Sequence, residues 1–388
     1  MSWNPFAPEV LADPANGYGN LLGRCPVHRF EQFDPAFYTL SRFDDVERAL
    51  RDIETFSSEF GQGPRFTPPV GMLCDPPQHT FYRGLVQQAF TPRTIEALRP
   101  RVAALADALI DAFPAEGSID LHDGFGFPLP VVIIAEMLGV PTEDMERFKH
   151  WSDVQVTAMG AADTRPYMAD QAAFFAYLQS HLRNRRDALV RGAARTDDLL
   201  GLLASARDEA GELLPEAQLL SVLSQLLVGG NETTTSLITN AMWRLLQSGL
   251  WHEVVANPAL VEAAVEESLR FDPPVLSLWR NTTRDVALHD VTIPAGSKVC
   301  LHYAAANRDP DAFEQPDRFD LHRPRKRHLA FGLGVHMCLG APMARMEAQL
   351  ALTALARREP ALRLVDDGER IAPFFLWGRR RLPVVREG

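Results

Sequence analysis

The chain has 388 residues, of which 46% are hydrophobic and 23% are charged, as expected for a globular protein with a sizeable buried core. The formal net charge of −11 argues against a general surface for nucleic acids or anionic membranes, because their phosphates would repel most of the protein. No stretch approaches the roughly 18 uncharged apolar residues that a membrane span needs, and the first residues predict no signal peptide.

Cysteine spacing and the lack of internal boundaries indicate the compartment and the domain organisation. Four cysteines, Cys25, Cys74, Cys300 and Cys338, are far apart and form no C-x-x-C pair, which argues against a disulfide framework and favours a reducing cytoplasm. No linker, low-complexity tract or repeat divides the chain, so we expect a single domain over 1–388. Its expected parts are β-rich over about 1–90, helical over about 91–270, and β-containing with the Cys338 loop over about 271–388.

Start and stop signals predict two helices in the helical part. Residues 129–138 are apolar and are followed by Gly139-Val140-Pro141, a pattern typical of a helix end. A longer helix is predicted from about Pro215, which suits a first turn, to Gly249, which suits the position after the last turn. Leucines between them keep helical spacing. At about 1.5 Å per residue, this helix would be roughly 50 Å long and would cross the whole domain.

The centre of the long helix breaks local rules. Residues 229–235 place two glycines, an acid and three threonines inside the helix. Each glycine costs about 1 kcal/mol relative to alanine, and a threonine hydroxyl can bond to a carbonyl one turn earlier and open the helix. Such violations are typical of functional sites. A tolerated weak spot, or a junction between two shorter helices, is the alternative interpretation.

A further helix is predicted over residues 261–271. It carries Glu267 and Arg270, which share a helical face and can form an ion pair. Taken alone, such a pair indicates only a surface salt bridge of little energetic value. A strand-like run over residues 297–303 follows, and then an irregular stretch that contains Arg323.

The glycine-rich segment around Cys338 carries the strongest chemical signal. Three glycines surround the cysteine within residues 331–340, and a helix is predicted to follow from Ala341 to about Arg357. Glycines let the backbone point N–H groups at the sulfur, and a helix N-terminus favours the thiolate. No further cysteine or closely spaced histidine completes a zinc tetrad. A single thiolate in this setting suits haem iron; a nucleophilic cysteine and a buried inert cysteine are the alternatives.

Four segments together resemble the cytochrome P450 superfamily, in its bacterial form. The pattern Phe331-Gly-x-Gly-x-His336-x-Cys338-x-Gly340 resembles the family's haem-binding signature. Glu267-x-x-Arg270 resembles its K-helix motif, with Arg323 as the third member of a Glu-Arg-Arg cluster. Residues 229–233 resemble the oxygen-binding kink, although Gly229 stands where many members have alanine. Residues 75–83 are similar to the segment that binds a haem propionate, and all four segments occur in the family's order.

The resemblance implies a fold and a cofactor. The expected fold is mainly α with small β-sheets, a triangular helical prism with haem b between the long central helix and the cysteine-loop helix. Cys338 would be the axial iron ligand and Phe331 would limit solvent access to it. The residues expected to bind the haem propionates are His79, Arg83, Arg280 and His336. The other expected haem-contacting residues are Gly229, Gly230, Gly332 and Gly340.

The implied activity is that of a mono-oxygenase that inserts one atom of O2 into a C–H bond. Thr233 would bond to bound dioxygen, and Glu232 would relay protons from solvent; a purely structural salt bridge is the alternative for Glu232. Two rival functions are a peroxide-driven enzyme and a haem sensor or storage protein. The pairing of Glu232 with Thr233 favours the oxygen-dependent route over both.

The sequence signals for the electron donor and for the substrate are less specific. Arg325, Lys326 and Arg327 predict a docking surface for an acidic ferredoxin, reduced from NAD(P)H by a separate reductase; a solvated run of charges is the alternative. A monomer is the family-based expectation. The pocket is expected to bind a hydrophobic compound such as a terpenoid or steroid. A substrate that bears a carboxylate is the alternative, because Arg65 could pair with it. The resemblance implies that the pocket draws on the loop around Phe60 to Met72, the segments Val275 to Leu278 and Phe374 to Trp377, and the central helix near Leu226. The expected lining residues are Leu226, Val275, Leu278 and Phe375.

Overall fold

A computed structural model describes residues 3–23, 26–161, 163–193 and 197–387. The helices of this part are α1 Pro8–Ala12, α2 Ala15–Leu22, α3 Phe43–Arg51, α4 Gln78–Gln87, α5 Pro92–Asp111, α6 Pro128–Leu138, α7 Met145–Gly160, α8 Met168–Val190, α9 Leu199–Ser205, α10 Glu216–Gln247, α11 Trp251–Ala256, α12 Val261–Phe271, α13 Tyr303–Ala306 and α14 Ala341–Arg358. The strands are β1 Val27–Phe30, β2 Phe37–Leu40, β3 Phe56–Ser57, β4 Ile119–Asp120, β5 Leu278–Thr282, β6 Val286–Leu288, β7 Val291–Ile293, β8 Lys298–Leu301, β9 Leu362–Leu364, β10 Glu369–Arg370, β11 Arg379–Arg381 and β12 Pro383–Arg386.

The long central helix forms as predicted and is continuous. α10 runs over 32 residues, about 48 Å at 1.5 Å per residue, so the interpretation as two shorter helices is wrong. It packs against α6, α12 and α14. A Cβ atom at Gly230 would lie 3.2 Å from Cγ1 of Ile134 on α6, so the glycine lets the two helices approach closely. The Thr233 hydroxyl donates to the carbonyl oxygen of Gly229 at 2.6 Å, the backward bond that threonine favours inside a helix.

The other predicted helices also form. α12 has the predicted bounds, and α14 ends one residue later than predicted. α6 ends at Leu138 and is capped by Gly139, whose φ of 79° is left-handed and suits glycine. The strand predicted over residues 297–303 is wrong at its end, because β8 stops at Leu301 and α13 begins at Tyr303. The ring nitrogen Nδ1 of His302 accepts the N–H of Ala305 at 3.2 Å and caps that short helix.

The main sheet joins strands from the N-terminal part and from the C-terminal part of the chain. Its strand order is β1-β2-β8-β5-β3, in which β2 and β8 are parallel and the other pairs are antiparallel. The N-terminal part is therefore not β-rich as predicted: α1 to α4 hold more of its residues than β1 to β3, and β2 and β3 pair with strands from the C-terminal part. A second sheet has the order β4-β12-β9.

The described part of the chain is mainly helical with small sheets. None of its helices is both long enough and apolar enough to cross a membrane. Cys74, Cys300 and Cys338 are free thiols, while Cys25 lies outside the described residues. Helix α10 runs through the largest group of buried apolar side chains.

Candidate active site

A cavity of about 310 Å3 lies between α10 and the loop that precedes α14. Side chains from widely separated segments meet there, and many of them are apolar. The loop and α14 contribute residues around Cys338, whereas α10 contributes seven residues between Gln225 and Leu237. The cavity is therefore where three of the four predicted motifs converge.

Cys338 lines this cavity and is exposed to it, although protein surrounds it. Its amide donates to the carbonyl oxygen of Phe331 at 2.9 Å. Burial raises the pKa of the Cys338 thiol, and the N–H groups of Gly340 and Ala341, which point at the sulfur, lower it in part together with the charge of Arg83. Burial outweighs the helix N-terminus, so the neutral thiol is favoured more than the sequence predicted. A cation bound to the sulfur would reverse that balance.

The loop backbone needs its glycines. Gly332 and Gly334 have φ values of 63° and 71°, in the left-handed region that glycine adopts at little cost. A Cβ atom at Gly334 would lie 2.7 Å from the carbonyl oxygen of Leu50. Substituting Gly334 would therefore disturb both the turn and its packing on α3.

Phe331 of the same loop lines the cavity, and the guanidinium of Arg345 lies 4.6 Å from the centre of the Phe331 ring.

Histidine and arginine side chains line another wall of the cavity. The four residues expected to bind the propionates, which are His79, Arg83, Arg280 and His336, all lie there. The rings of His79 and His336 have centroids 4.3 Å apart. Nδ1 of His79 is buried and has no hydrogen-bond partner among the described residues. Nε2 of His336 is also buried and lies 3.7 Å from Oδ1 of Asp75, just beyond hydrogen-bond distance. Burial, with the charges of His336 and Arg83, lowers the pKa of His79 to about 4.

Neighbouring residues on α10 face different surroundings. Gly229, Gly230 and Thr233 line the cavity. Glu232 is 5% exposed and is directed away from the cavity lining toward α7, where Asp153 and Lys149 influence it. Burial, and then the charge of Asp153, raises the pKa of Glu232 to about 7. No salt bridge to Glu232 occurs in the described part of the chain, which leaves the structural alternative without support.

The Glu-Arg-Arg residues meet outside the cavity. Nη2 of Arg270 lies 2.7 Å from Oε1 of Glu267, and Nε of Arg323 lies 3.1 Å from the same oxygen. Arg270 also donates to the carbonyl oxygens of Asn307, Pro316 and Arg318 at 2.8–3.1 Å. The cluster therefore ties α12 to the irregular segment before the cysteine loop.

The predicted substrate residues separate into two groups. Leu226, Val275 and Leu278 line the cavity. The prediction for Phe375 is wrong, because its side chain is buried against Trp279, with ring centroids 5.8 Å apart, and is not among the described residues that line the cavity. Arg65 is likewise absent from that lining; its guanidinium lies 4.9 Å from the ring centre of Phe33.

The loop around Phe60 to Met72 was expected in the pocket, and Gln62 and Met72 of that loop line the cavity. Sequence reasoning missed Leu73, which follows that loop, and Gln225 of α10. Gln225 precedes Gly229 by one turn and Thr233 by two, so the period of the helix could have placed it on the same face. The loop residues carried no such periodic signal.

The predicted basic surface is exposed but internally paired. The Arg325 side chain is 76% exposed, and Lys326 and Arg327 are exposed as well. Each of the three has a partner from another segment. These partners are Glu262 for Arg325, the carbonyl oxygen of Ala312 for Lys326, and Glu47 for Arg327. The positive charge of the surface is therefore partly balanced, which its sequence did not reveal.

A cysteine-bearing loop before a helix, facing a long helix with an acid–alcohol pair, is the arrangement of a haem-thiolate class of protein. A family model for Cytochrome P450 matches residues 251–358. Cytochrome P450 107B1 of Saccharopolyspora erythraea is 36% identical over 97% of this chain and 98% of that protein. The vitamin D(3) 25-hydroxylase of Pseudonocardia autotrophica is 36% identical over 98% and 95% of the two chains. The structure of CYP109Q5 from Chondromyces apiculatus has a TM-score of 0.85 and 36% identity, covering 98% and 97%.

The chain belongs to the cytochrome P450 family. It is an oxidoreductase of the mono-oxygenase class that uses haem and O2, and its relatives include a protein named as a hydroxylase. The predicted P450 fold is confirmed by the structural similarity over nearly the whole chain.

The residues around the cavity fit haem. Haem carries two carboxylates, and the wall that holds Arg83 and Arg280 also holds two buried ring nitrogens, Nδ1 of His79 and Nε2 of His336, that make no hydrogen bond within the described part of the chain. Charge-assisted bonds to carboxylates would satisfy these groups. Cys338 offers one sulfur ligand on the same cavity, as an iron with a proximal thiolate requires.

Replacing Gly229 with alanine is expected to stabilise the protein by about 1 kcal/mol, because alanine favours the helix and its Cβ would meet no atom within 4 Å. The free energy of unfolding measures this effect. Gly230→Ala is the matched control: its Cβ would press on Ile134 at 3.2 Å, so the gain should be smaller or absent. Equal gains at both positions would contradict the packing described for α6 and α10.

Proposed function

We propose that the protein is a single-domain, monomeric, cytoplasmic haem b mono-oxygenase that inserts one oxygen atom of O2 into a C–H bond of a hydrophobic substrate. Electrons would come from NAD(P)H through a ferredoxin reductase and a ferredoxin. The observation that carries the proposal is that Cys338, Thr233 and the histidine–arginine wall all line one cavity. The buried thiols of Cys74 and Cys300 suit the reducing compartment.

Cys338 would bind the haem iron, and His79, Arg83, Arg280 and His336 would bind the propionates. When bound, the haem supplies the redox chemistry that activates O2. Gly332, Gly334 and Gly340 would shape the loop so that N–H groups reach the sulfur. Phe331 would cover one side of that sulfur, and Arg345 would hold its ring in place through the cation–π contact at 4.6 Å.

Thr233 and Glu232 would supply protons to the oxygen site. The Thr233 hydroxyl lies on the cavity and can exchange its bond to Gly229 for a bond to a ligand. Glu232 holds a proton near neutral pH because its pKa is raised to about 7. Its neighbours on α7 include the exposed Asp153, so Glu232 lies between the cavity-lining Thr233 and groups in contact with solvent. Such a position suits a relay.

Turnover with 18O2 tests the proposed reaction. A purified ferredoxin, its reductase and NADPH are expected to give a product that contains one 18O atom, with the second atom in water. A hydrophobic test compound that produces a spin-state change on binding is the appropriate substrate. Oxidation only with hydrogen peroxide would support the peroxide-driven alternative, and ligand binding without any oxidation would support a sensor.

The double reversal Arg325→Glu with Lys326→Glu is expected to slow reduction by ferredoxin about tenfold at low salt and to reduce its salt dependence, because steering by opposite charges would be lost. Stopped-flow reduction at several ionic strengths measures both effects. The control is Arg29→Glu with Arg165→Glu, an equal change in net charge on exposed side chains of other elements. Equal slowing in both double variants would mean that Arg325 and Lys326 form no specific docking surface.

A further inference from the structure

One face of α10 carries a polar side chain at a fixed distance from the oxygen site. Gln225, Gly229 and Thr233 are spaced four residues apart, so they lie in a line along the helix, and all three line the cavity. Eight residues correspond to about 12 Å along the helix axis. Gly229, between them, would carry a Cβ into open space, so nothing on the helix separates Gln225 from Thr233.

A hydrogen bond orients the Gln225 side-chain amide, but only its NH2 group is bonded within the described part of the chain. Its Nε2 donates to Oγ of Ser221 at 2.7 Å, one turn earlier. The described residues provide no partner for its carbonyl oxygen. A part-buried amide gains free energy when such an oxygen is paired. A ligand hydroxyl or N–H group in the cavity would provide that pairing.

A second amide lines the same cavity on a segment that is anchored through its backbone. The carbonyl oxygen of Gln62 accepts the N–H of Trp279 at 2.9 Å. The preceding carbonyls of Phe60 and Gly61 accept bonds from Nζ of Lys298 at 3.0 and 3.1 Å. Lys298 is 1% exposed, so this anchor is internal. The side chain of Gln62 has no hydrogen bond within the described part of the chain, and so it too is available to a ligand.

The two amides are uncharged, and many of the other residues that line the cavity are apolar, among them Leu226, Met72 and Leu278. The charged lining groups that would bind haem lie on the histidine–arginine wall. Nζ of Lys298 is bonded to the carbonyls of Phe60 and Gly61, and Lys298 is not among the described residues that line the cavity. A carboxylate near the amides would therefore lose its hydration without a cation bound to it, whereas a hydroxyl or carbonyl would keep its hydrogen bonds. The chemistry of this region therefore favours neutral polar groups over anions.

We propose that Gln225 and Gln62 select a neutral, largely apolar substrate bearing a hydroxyl or carbonyl group, which Gln225 binds about two helical turns from the position of oxidation. The inference rests on the proposed mono-oxygenase function only where it refers to a position of oxidation. The binding preference itself requires the cavity and the two amides.

Calorimetric binding to the haem-loaded protein tests the preference with three probes on one skeleton: 1-decanol, decane and decanoate. The wild type is expected to bind 1-decanol about fivefold to tenfold more tightly than decane, as one net neutral hydrogen bond implies. Gln225→Met, which keeps length and helix propensity, should reduce that ratio to within about twofold. Gln62→Met should reduce it less, because its amide is the second contact. Ser221→Ala, which frees the Gln225 side chain, should give an intermediate ratio.

Equal affinity of the wild type for 1-decanol and decane, or tighter binding of decanoate, would overturn the proposal. An unchanged ratio in both the Gln225→Met and Gln62→Met variants would also overturn it. Product analysis is the second measurement: the wild type should oxidise 1-decanol at carbons remote from the hydroxyl, and Gln225→Met should spread the sites of oxidation. A preserved binding ratio without any oxidation would count against the mono-oxygenase function and leave the amide site standing.

Discussion

Replacing Arg270 with alanine is expected to destabilise the protein by about 3 to 5 kcal/mol, the usual cost of leaving one partner of a buried ion pair uncompensated. Glu267 is 5% exposed and would keep only Arg323 and the amide of Asp320 as partners. The carbonyls of Asn307 and Pro316 would also lose the donor that Arg270 provides, while that of Arg318 would keep Nη2 of Arg323. Urea denaturation followed by far-ultraviolet circular dichroism measures the loss.

The control for this effect is Arg325→Ala. Arg325 also pairs with a glutamate, Glu262, at 2.9 Å, but its side chain is 76% exposed, so the loss should be within about 1 kcal/mol. Arg270→Lys should fall between the two, because an ammonium cannot reproduce the bidentate contact with Glu267. Similar losses for Arg270→Ala and Arg325→Ala would contradict a structural role of the cluster.

Replacing Glu232 with glutamine is expected to lower oxygen-dependent turnover about 100-fold, since general acid catalysis typically contributes at least that factor. The wild-type carboxyl has a pKa of about 7 because of burial, so it is protonated and able to donate at lower pH. Turnover limited by this proton should therefore fall as the pH rises through about 7. The variant should lack this dependence, and a pH series of product formation measures it.

Stability provides a second readout for Glu232 that does not depend on turnover. A carboxyl whose pKa is raised on folding binds more protons in the folded state between its unfolded pKa of 4.5 and about 7. The free energy of unfolding should therefore decrease across that window, and Glu232→Gln should flatten the decrease. Glu216→Gln, at the start of α10 and paired with Arg183, is the control. If both variants match the wild type in turnover and in pH profile, Glu232 is not a relay.

Local motifs predicted a large part of the fold and of the site. The bounds of α12 and α14 were predicted to within one residue, because stop signals such as Pro360 after α14 act within a few residues. Glu267 and Arg270 are one turn apart, so their contact follows from helical geometry. The wall of His79, Arg83 and His336 could be expected only from the family resemblance, because nothing local says that these residues meet.

Side-chain direction and distant partners were harder to predict. Glu232 and Thr233 are adjacent, and successive helix residues point about 100° apart, so only the packing of α7 shows which one faces the cavity. Phe375 was expected in the pocket because of its apolar segment, yet Trp279 holds it in the core. The ion pair of Arg327 joins it to Glu47, 280 residues away. No local pattern in one sequence predicts a contact between residues so far apart in the chain.

The reduced, carbon monoxide difference spectrum of the wild type beside Cys338→Ser tests the central claim most directly, because a thiolate ligand shifts the Soret band strongly to the red. We expect the shifted band in the wild type and its loss in the variant. A wild-type protein that holds no haem, or that gives the unshifted band of a neutral ligand, would contradict the account of Cys338 as the haem ligand.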